Sequence, residues 1–175
     1  MKENIALIGF MGTGKTAVVE RLAARLGKRC IDLDALIIEK SGKTIPRIFE
    51  ENGEKGFRSL ETEVVKEASQ ERGVVLACGG GVVLNRVNME HLRRNAVIIC
   101  LTAKPGTILE RIIDDGTRPL LDVEDRSERI RELLSSRDPL YKRSADHMVD
   151  TTDLTLDEVV EKIVLALGKE MGGNR

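Results

Sequence analysis

The sequence predicts an α/β fold with a five-stranded parallel sheet, because short apolar strands alternate with helical patterns along its 175 residues. Such alternation is typical of parallel sheets, in which a helix crosses over between successive strands. Residues 73–77 and 96–101 are continuous apolar runs, as expected for strands that are covered on both faces. No internal repeat or interdomain linker is visible in the sequence, so we expect one domain over residues 1–175.

Five short segments have the composition and the length of strands. The predicted strands are residues 4–8, 29–33, 73–77, 96–101 and 147–149. The first strand leads directly into a glycine-rich loop, and the second ends in two aspartates that are separated by one residue. The last strand is the shortest, and with it the count reaches five.

Helical patterns fill the gaps between these strands. The predicted helices are residues 15–26, a short helix from 44 to 53, and residues 54–70, 86–93, 105–114 and 155–167. Gly27, Gly53 and Gly168 stand where glycine commonly ends a helix. Thr155 and Glu158 have the spacing of a capping box. We expect Arg137 to end a further helix, because Asp138-Pro139 follows it.

Residues 115–125 differ from the rest of the chain. The segment is polar, contains Gly116 and Pro119, and connects two predicted helices without periodicity. A loop of this length inside a compact domain is often a lid over a binding site. We therefore predict a lid here, with plain disorder as the alternative.

The composition disfavours several classes of partner. The formal net charge is −1, from 28 basic and 29 acidic residues, and aromatic residues make up 2% of the chain. This near-balance of charge favours neither nucleic acid nor an anionic membrane as the main partner. The low aromatic content leaves few side chains on which the bases of a single-stranded nucleic acid could stack. Cys30, Cys78 and Cys100 lie in or beside apolar runs and are predicted to be buried, reduced thiols. We expect a cytoplasmic protein.

The glycine-rich loop Gly9–Thr16 predicts a triphosphate site. Its GxxxxGK[ST] spacing lies between a predicted strand and a predicted helix, which is the context that this motif requires. Backbone N–H groups and the helix N-terminus are expected to contact the phosphates, with Lys15 along the β- and γ-phosphates and Thr16 on Mg²⁺. The predicted nucleotide-binding residues of this segment are Gly12, Thr13, Gly14, Lys15, Thr16 and Ala17.

The carboxylate that would support Mg²⁺ is expected on the second strand. The third strand ends in Cys78 and three glycines, without an aspartate, whereas Asp32 and Asp34 end the second strand. The two aspartates need not share a role, so that one could support the metal while the other faces a phosphoryl acceptor. An aspartate here could also cap the next helix.

The acceptor is predicted to carry a carboxylate. Arg58 and Arg137 are arginines that could reach one pocket beyond the strand ends, where ligands of open α/β sheets bind. Gly79, Gly80 and Gly81 end a buried strand, where the backbone can approach a ligand closely. Two guanidinium groups that converge on one pocket match the oxygens of a carboxylate.

These residues together resemble the shikimate kinase family. The family pattern appears in order along most of the chain: GxxGxGKT at Gly9–Thr16, DxD at Asp32–Asp34, GExxFRxxE at Gly53–Glu61, GGG at Gly79–Gly81, RPLL at Arg118–Leu121 and RxPLY at Arg137–Tyr141. The first motif is shared with many kinases, whereas the combination of the other five is specific.

The resemblance implies ATP-dependent phosphorylation of the 3-hydroxyl of shikimate, on the route to chorismate and the aromatic amino acids. It also implies a P-loop, nucleoside-monophosphate-kinase-like three-layer fold around the sheet. The acceptor-binding helices would lie at about 34–61 and the mobile lid at about 115–125. A monomer is the expectation for a small kinase of this type.

The resemblance further implies roles for individual residues. Asp34 would hold the acceptor hydroxyl and act as its base, while Arg58 and Arg137 would bind the carboxylate. Arg118 would reach the transferring phosphate from the lid, and Arg111 would stack on adenine. The other implied residues are Gly80 and its neighbours at the ring hydroxyls, Phe49, Phe57 and Glu61 around the acceptor pocket, and Leu156 where the family often has proline beside adenine.

Two other functions stay open at this point. Another small-metabolite or nucleoside-monophosphate kinase would share the P-loop and the lid, although no DGFPR-type segment and no cysteines in the lid are present. A nucleotide-dependent regulatory module would keep the fold without catalysis. The presence of Lys15, Asp34 and Arg118 argues against such a module.

Overall fold

The sheet is the centre of the fold in the computed structural model, which describes residues 2–112 and 124–171. Its strands are β1 (Asn4–Gly9), β2 (Arg29–Asp32), β3 (Val74–Ala77), β4 (Ala96–Thr102) and β5 (His147–Asp150). They lie in the order β2-β3-β1-β4-β5, and all four neighbouring pairs are parallel. The predicted α/β fold class with a five-stranded parallel sheet is confirmed.

Seven helices in the described ranges connect and cover the strands. They are α1 (Lys15–Leu26), α2 (Leu33–Ser41), α3 (Ile45–Ala68), α4 (Arg86–Asn95), α5 (Pro105–Ile112), α6 (Arg126–Ser144) and α7 (Leu156–Met171). A short 3₁₀ turn, Val82–Leu84, precedes α4. None of the described helices combines the length and the apolarity that a bilayer crossing requires.

The helices form one layer on each side of the sheet. Ile5 and Leu7 of β1 face α1 and α7, and pack there with apolar residues of those two helices. Ala6 and Ile8 face the other side, where α2 to α6 contribute the apolar residues. The period of two along a strand therefore gives β1 two buried faces, and the predicted three layers are present.

The carboxyl ends of the strands meet at one edge of the sheet, where the glycine-rich loop follows β1. Gly9 lies so close to β4 that a Cβ atom there would be 2.2 Å from the carbonyl oxygen of Leu101. At Gly12 a Cβ atom would be 2.9 Å from Ile112 of α5. These contacts fix the loop against the sheet and α5.

Two predicted helix ends are wrong. Arg137 does not end a helix, because α6 continues through Pro139 to Ser144. A proline inside a helix costs about 3 kcal/mol, but the buried face of α6 runs on both sides of it. Gly168 lies within α7, where glycine costs only about 1 kcal/mol relative to alanine.

The second strand ends one residue earlier than predicted, because α2 begins at Leu33. The interpretation that an aspartate caps this helix is confirmed for Asp32, whose Oδ1 accepts hydrogen bonds from the backbone N–H groups of Asp34 and Ala35. The prediction that Gly53 ends a short helix is confirmed locally. Its φ of 66° and ψ of −178° kink α3 into two helical parts.

The cysteine prediction is confirmed for two of the three thiols. Cys78 and Cys100 are buried, whereas Cys30 is exposed, because β2 is an edge strand of the sheet. Burial raises the pKa of the Cys100 thiol to about 12, so this side chain stays a neutral, apolar packing group near neutral pH.

Candidate functional site

The loop between β1 and α1 is shaped by three glycines and one lysine. Gly9, Gly12 and Gly14 have φ values of 140°, 76° and 94°, a region that other residues rarely adopt. The Nζ of Lys15 donates hydrogen bonds to the carbonyl oxygens of Gly9 and Phe10, both at 2.8 Å. These two hydrogen bonds hold the loop around the ammonium group of Lys15, as an anion-binding loop at the start of α1 requires.

A cavity of about 240 Å³ opens above this loop. Five predicted nucleotide-binding residues of the P-loop line it: Gly12, Gly14, Lys15, Thr16 and Ala17. Thr13 is not among the lining residues, because its side chain is buried and its Oγ1 donates to the carbonyl oxygen of Phe10 at 2.7 Å. Thr13 therefore braces the loop from inside.

Arg111 of α5 lies at the mouth of this nucleotide cavity and is fixed by backbone oxygens. Its guanidinium donates to the carbonyl oxygens of Gly12 at 3.2 Å and of Thr151 at 3.0 Å, and to the Thr151 hydroxyl at 3.1 Å. The plane of the guanidinium is held rigidly by these contacts, as stacking on a flat ring requires.

Thr151 joins three parts of the nucleotide site and was not anticipated from the sequence. It follows β5, is 2% exposed, and its Oγ1 lies 3.1 Å from the carbonyl oxygen of Thr13 and 3.0 Å from that of Thr102. Its position directly after a parallel strand was the available signal, because such positions face ligands in α/β sheets.

The pair Thr16 and Asp32 has the chemistry of a magnesium site. The Thr16 hydroxyl donates to Asp32 Oδ2 at 2.9 Å, and both residues line the nucleotide cavity. Among the described residues no cluster of three or more His, Cys, Asp or Glu side chains could hold a metal. Hard oxygen donors in this small number suit Mg²⁺, which usually takes its other ligands from water and phosphate.

A second cavity of about 380 Å³ adjoins the first. It contains every predicted acceptor residue: Asp34, Arg58, Gly79, Gly80, Gly81 and Arg137. The residues that line both cavities are Met11, Thr16, Asp32, Asp34, Gly79 and Gly80. The two predicted half-sites are therefore neighbours, and Asp34 lies on their common boundary.

Asp34 reaches this boundary by a different route from the one predicted. It lies in the first turn of α2, with Asp32 as the N-cap, and not at the end of an extended strand. Asp32 Oδ1 is used by the helix N-terminus, while Asp34 Oδ1 lies 3.1 Å from where a Cβ atom on Gly79 would be. The lack of that Cβ atom leaves the carboxylate of Asp34 room in the cavity wall.

Arg58 is held against the acceptor cavity by two glutamates. Its Nη1 donates to Glu61 Oε1 at 2.9 Å, and its Nη2 lies 3.3 Å from Glu54 Oε1. The guanidinium also lies over the Phe57 ring, 5.1 Å from the centroid. A Cβ atom on Gly81 would be 2.3 Å from both Nη atoms, so the guanidinium occupies space that only glycine leaves open.

Arg137 is a buried cation in the wall of the same cavity. The residue is 3% exposed, and its guanidinium lies 5.9 Å from the centroid of the Phe10 ring. Among the described residues no carboxylate lies within 4.0 Å of it. A buried charge is costly unless it is paired, so this arrangement favours an anion in the cavity.

Glu61 is the buried acid of the acceptor site. It is 1% exposed, and its Oε2 has no hydrogen-bond partner among the described residues. Burial raises the pKa of this carboxyl, the Arg58 guanidinium opposes the shift, and Asp34 adds to it. The acceptor cavity therefore combines the positive charges of Arg58 and Arg137 with the Glu61 carboxyl, whose ionisation is favoured by Arg58 and opposed by burial.

Tyr141 is a second residue of the site that sequence reasoning left without a role. Its hydroxyl donates to the carbonyl oxygen of Gly80 at 2.5 Å, which joins α6 to the segment after β3. The residue stands in the RxPLY motif, four positions after Arg137, so helical spacing was the available signal.

Some predicted residues lie outside the described ranges. Arg118 and most of the predicted lid, residues 115–123, fall there. Leu156 is described as the first residue of α7 and is 41% exposed. Leu156 is not among the residues that line the nucleotide cavity.

Comparison with known proteins gives one family over most of the chain. The family model described as "Shikimate kinase" matches residues 11–168. The shikimate kinase of Caldanaerobacter subterraneus subsp. tengcongensis is 48% identical over 170 residues, which are 97% of this chain and 99% of that protein. The shikimate kinase of Thermodesulfovibrio yellowstonii is 47% identical over 162 residues, 93% of each chain.

A solved structure shows the same architecture. Shikimate kinase from Acinetobacter baumannii, in complex with shikimate, superposes with a TM-score of 0.92 at 38% sequence identity. The match covers 98% of this chain and 94% of that chain.

Proposed function

The chain belongs to the shikimate kinase family, and on that premise we propose that its two adjoining cavities bind ATP and shikimate and transfer the γ-phosphoryl group to the 3-hydroxyl of shikimate. The product is shikimate 3-phosphate, on the route to chorismate and the aromatic amino acids. The observation that carries this proposal is Arg137, a buried guanidinium with no carboxylate partner among the described residues, in a cavity that adjoins the P-loop.

We assign the carboxylate of shikimate to the two arginines. Arg58 and Arg137 come from different helices, and both line the acceptor cavity. The bound carboxylate supplies the direct ion pair that Arg137 lacks among the described residues, where Glu61 acts on it only at longer range. Charge-assisted contacts of a guanidinium with a carboxylate are strong and directional, so they fix the ring as well as its charge.

Asp34 is the proposed acceptor of the hydroxyl proton. It lies on the boundary of the two cavities, where the 3-hydroxyl meets the γ-phosphate. As the hydroxyl oxygen forms its bond to phosphorus, the bond from phosphorus to the β,γ-bridging oxygen breaks and ADP departs. The hydroxyl proton passes to the Asp34 carboxylate, which first orients the nucleophile.

The nucleotide cavity is proposed to hold the phosphates through Lys15, the loop N–H groups and the start of α1. Arg111 is proposed to stack on adenine, which suits the rigid placement of its guanidinium. Thr16 and Asp32 would hold Mg²⁺, which supplies neutralisation of the phosphate charge when bound. Arg118, outside the described residues, is proposed to contact the transferring phosphoryl group.

The state of the protein in the cell is also a proposal. We propose one domain over residues 1–175 that acts as a monomer in the cytoplasm, without nucleic acid or membrane as a partner. The formal net charge of −1 supports the absence of a polyanionic partner. Light scattering coupled to size exclusion tests the monomer directly.

The test of the function is ADP release with shikimate as acceptor, in the wild type and in Asp34→Asn. We expect the variant to lose roughly 10²- to 10⁴-fold in kcat, the contribution of a general base, while ATP binding is retained. Asp157→Asn is the matched control, since Asp157 is an exposed residue of α7 that pairs with Arg21. An active Asp34→Asn variant would exclude Asp34 as an essential base, and a wild type that prefers another acceptor would overturn the assignment of shikimate.

A further inference from the structure

We infer that Tyr141 is a positioning residue for the acceptor, which sets the Gly80 carbonyl and the Arg137 guanidinium relative to each other. The inference rests on the proposed function, because it assigns both groups to the binding of shikimate. Tyr141 is the one tyrosine of the sequence. It is not itself among the residues that line either cavity.

The hydroxyl of Tyr141 is the polar end of an otherwise buried side chain. The residue is 3% exposed and belongs to the apolar cluster on the α2–α6 side of the sheet. Its hydroxyl proton is directed to the carbonyl oxygen of Gly80 at 2.5 Å. A buried phenol usually finds such a partner, but here the partner is a backbone group that borders both cavities.

The acceptor arginine lies beside the same backbone segment. Arg137 lies one helical turn before Tyr141 on α6, and its Nη1 is 3.7 Å from where a Cβ atom on Gly80 would be. The guanidinium is also close enough to the phenol to oppose the rise of its pKa, as a nearby cation does. The hydroxyl of Tyr141 therefore links the turn of α6 that carries Arg137 with the backbone after β3.

The link is maintained at any pH at which the enzyme would work. Burial raises the pKa of the phenol well above its ordinary value of 10, and this outweighs the opposing effect of Arg137. The hydroxyl consequently stays protonated and keeps its donor role toward Gly80.

This arrangement explains how a buried arginine can be held ready without a carboxylate partner. The Phe10 ring and the backbone at Gly80 lie beside the guanidinium, and neither forms an ion pair with it. The positive charge stays available to a bound anion, whereas the rotamer is already restricted. Such preorganisation lowers the entropic cost of binding.

The experiment is steady-state kinetics of Tyr141→Phe with each substrate varied in turn. We expect the KM for shikimate to rise on the order of tenfold, the size of one lost buried hydrogen bond, with the KM for ATP unchanged. The kcat should fall less than the KM rises, since Asp34 and Lys15 are untouched. Ser69→Ala is the matched control, because it removes a buried hydroxyl bond to Lys66 away from both cavities.

A structural role alone predicts a different pattern. In that case Tyr141→Phe and Ser69→Ala would both lower Tm and the KM for shikimate would stay at its wild-type value, which would overturn the inference. As a second measurement, Tyr141→Phe is made in an Arg137→Lys background. We expect little further rise in KM there, and a full additional rise would show that the phenol does not act through Arg137.

The two proposals fail in distinguishable ways. If the wild type does not phosphorylate shikimate, the proposed function is wrong and the kinetic comparison has no basis. If the wild type does so but Tyr141→Phe keeps its KM for shikimate, only the inference about Tyr141 is wrong.

Discussion

The nucleotide half and the acceptor half of the site are built in different ways. The nucleotide half takes its loop from the contiguous segment Gly9–Thr16 and uses mainly backbone, with Lys15 folded back onto two carbonyl oxygens of the same loop. The acceptor half takes side chains from α2, α3 and α6 and a glycine segment after β3. Local geometry specifies the first half, whereas packing between distant elements specifies the second.

Glycines of the two halves can be needed for different reasons. In the nucleotide half the glycines allow backbone angles that other residues rarely adopt, with φ of 94° at Gly14 and no atom near a Cβ placed there. In the acceptor half the glycines leave space for neighbouring side chains, as at Gly81 beside Arg58. Gly14 is thus needed for its backbone conformation, whereas Gly81 is needed for the space that it leaves.

The largest effect is expected from Gly81→Ala, which tests the volume argument. A Cβ atom would be 2.3 Å from the Nη atoms of Arg58, so the guanidinium must move away from its place in the cavity wall. We expect the KM for shikimate to increase by a factor of about ten to about one hundred, as for loss of a charge-assisted hydrogen bond. The KM for ATP should be unchanged. Initial-rate kinetics measures both constants.

Gly106→Ala is the control for Gly81→Ala. No atom lies within 4 Å of a Cβ at Gly106, and its φ is not positive, so both constants should stay at their wild-type values. A wild-type KM for shikimate in Gly81→Ala would show that the guanidinium of Arg58 is not needed where the structure has it.

A smaller effect is expected from Thr151→Val, which tests the opposite half. Valine keeps the shape of threonine but removes the hydroxyl that contacts Arg111 and the carbonyl oxygens of Thr13 and Thr102. We expect the KM for ATP to rise about three- to tenfold, the size of one buried hydrogen bond, and the KM for shikimate to stay constant. Nucleotide titration by calorimetry measures the same change without turnover.

Thr152→Val is the matched control for Thr151→Val. The Thr152 hydroxyl donates to Asp150 and lies outside the residues that line the nucleotide cavity. If Thr151→Val were to alter both KM values equally, the separation of the two halves would be wrong.

The smallest effect concerns stability and pH, and follows from the buried acid of the acceptor half. Burial raises the pKa of Glu61 above its ordinary 4.5, so the folded protein binds the proton more tightly than the unfolded chain. Relative to Glu61→Gln, the wild type should therefore lose unfolding free energy as the pH rises through the raised pKa. The loss is about 1.4 kcal/mol for each pKa unit of the shift. Urea unfolding across a pH series measures it.

Glu158→Gln is a control of opposite sign. The Thr155 backbone N–H and hydroxyl lower the pKa of the Glu158 carboxyl, so its contribution to stability is lost as the pH falls. If the difference in unfolding free energy between wild type and Glu61→Gln does not change with pH, Arg58 cancels the effect of burial on the pKa of Glu61.

Much of the site could be predicted from the sequence because its motifs are local. The spacing from Gly9 to Thr16 and the strand before it were sufficient to predict the nucleotide loop, since neighbours in sequence form it. The predicted acceptor residues also line one cavity, including Arg58 and Arg137, which lie 79 positions apart in the numbering. That prediction depended on family motifs, because no local rule relates such distant residues.

Other features were decided by tertiary structure. Asp34 faces the cavity because α2 begins at Leu33 and Asp32 caps it, whereas the sequence was interpreted as a strand that ends in both aspartates. Arg137 lies within α6 because the buried face of that helix continues past Pro139. The contacts of Thr151 and Tyr141 join segments that are distant in the chain, so the partners of these residues could not be predicted from spacing within one segment.

The fold class, the phosphate-binding loop and the types of charge around the acceptor follow from the amino-acid sequence alone. These depend on periodicity, on glycine and on residue chemistry, all of which are local properties. The tertiary structure is needed to show which side chains line the same cavity and which contacts hold them in place. Those relations depend on how helices pack against the sheet, because burial and distance are properties of the folded chain as a whole.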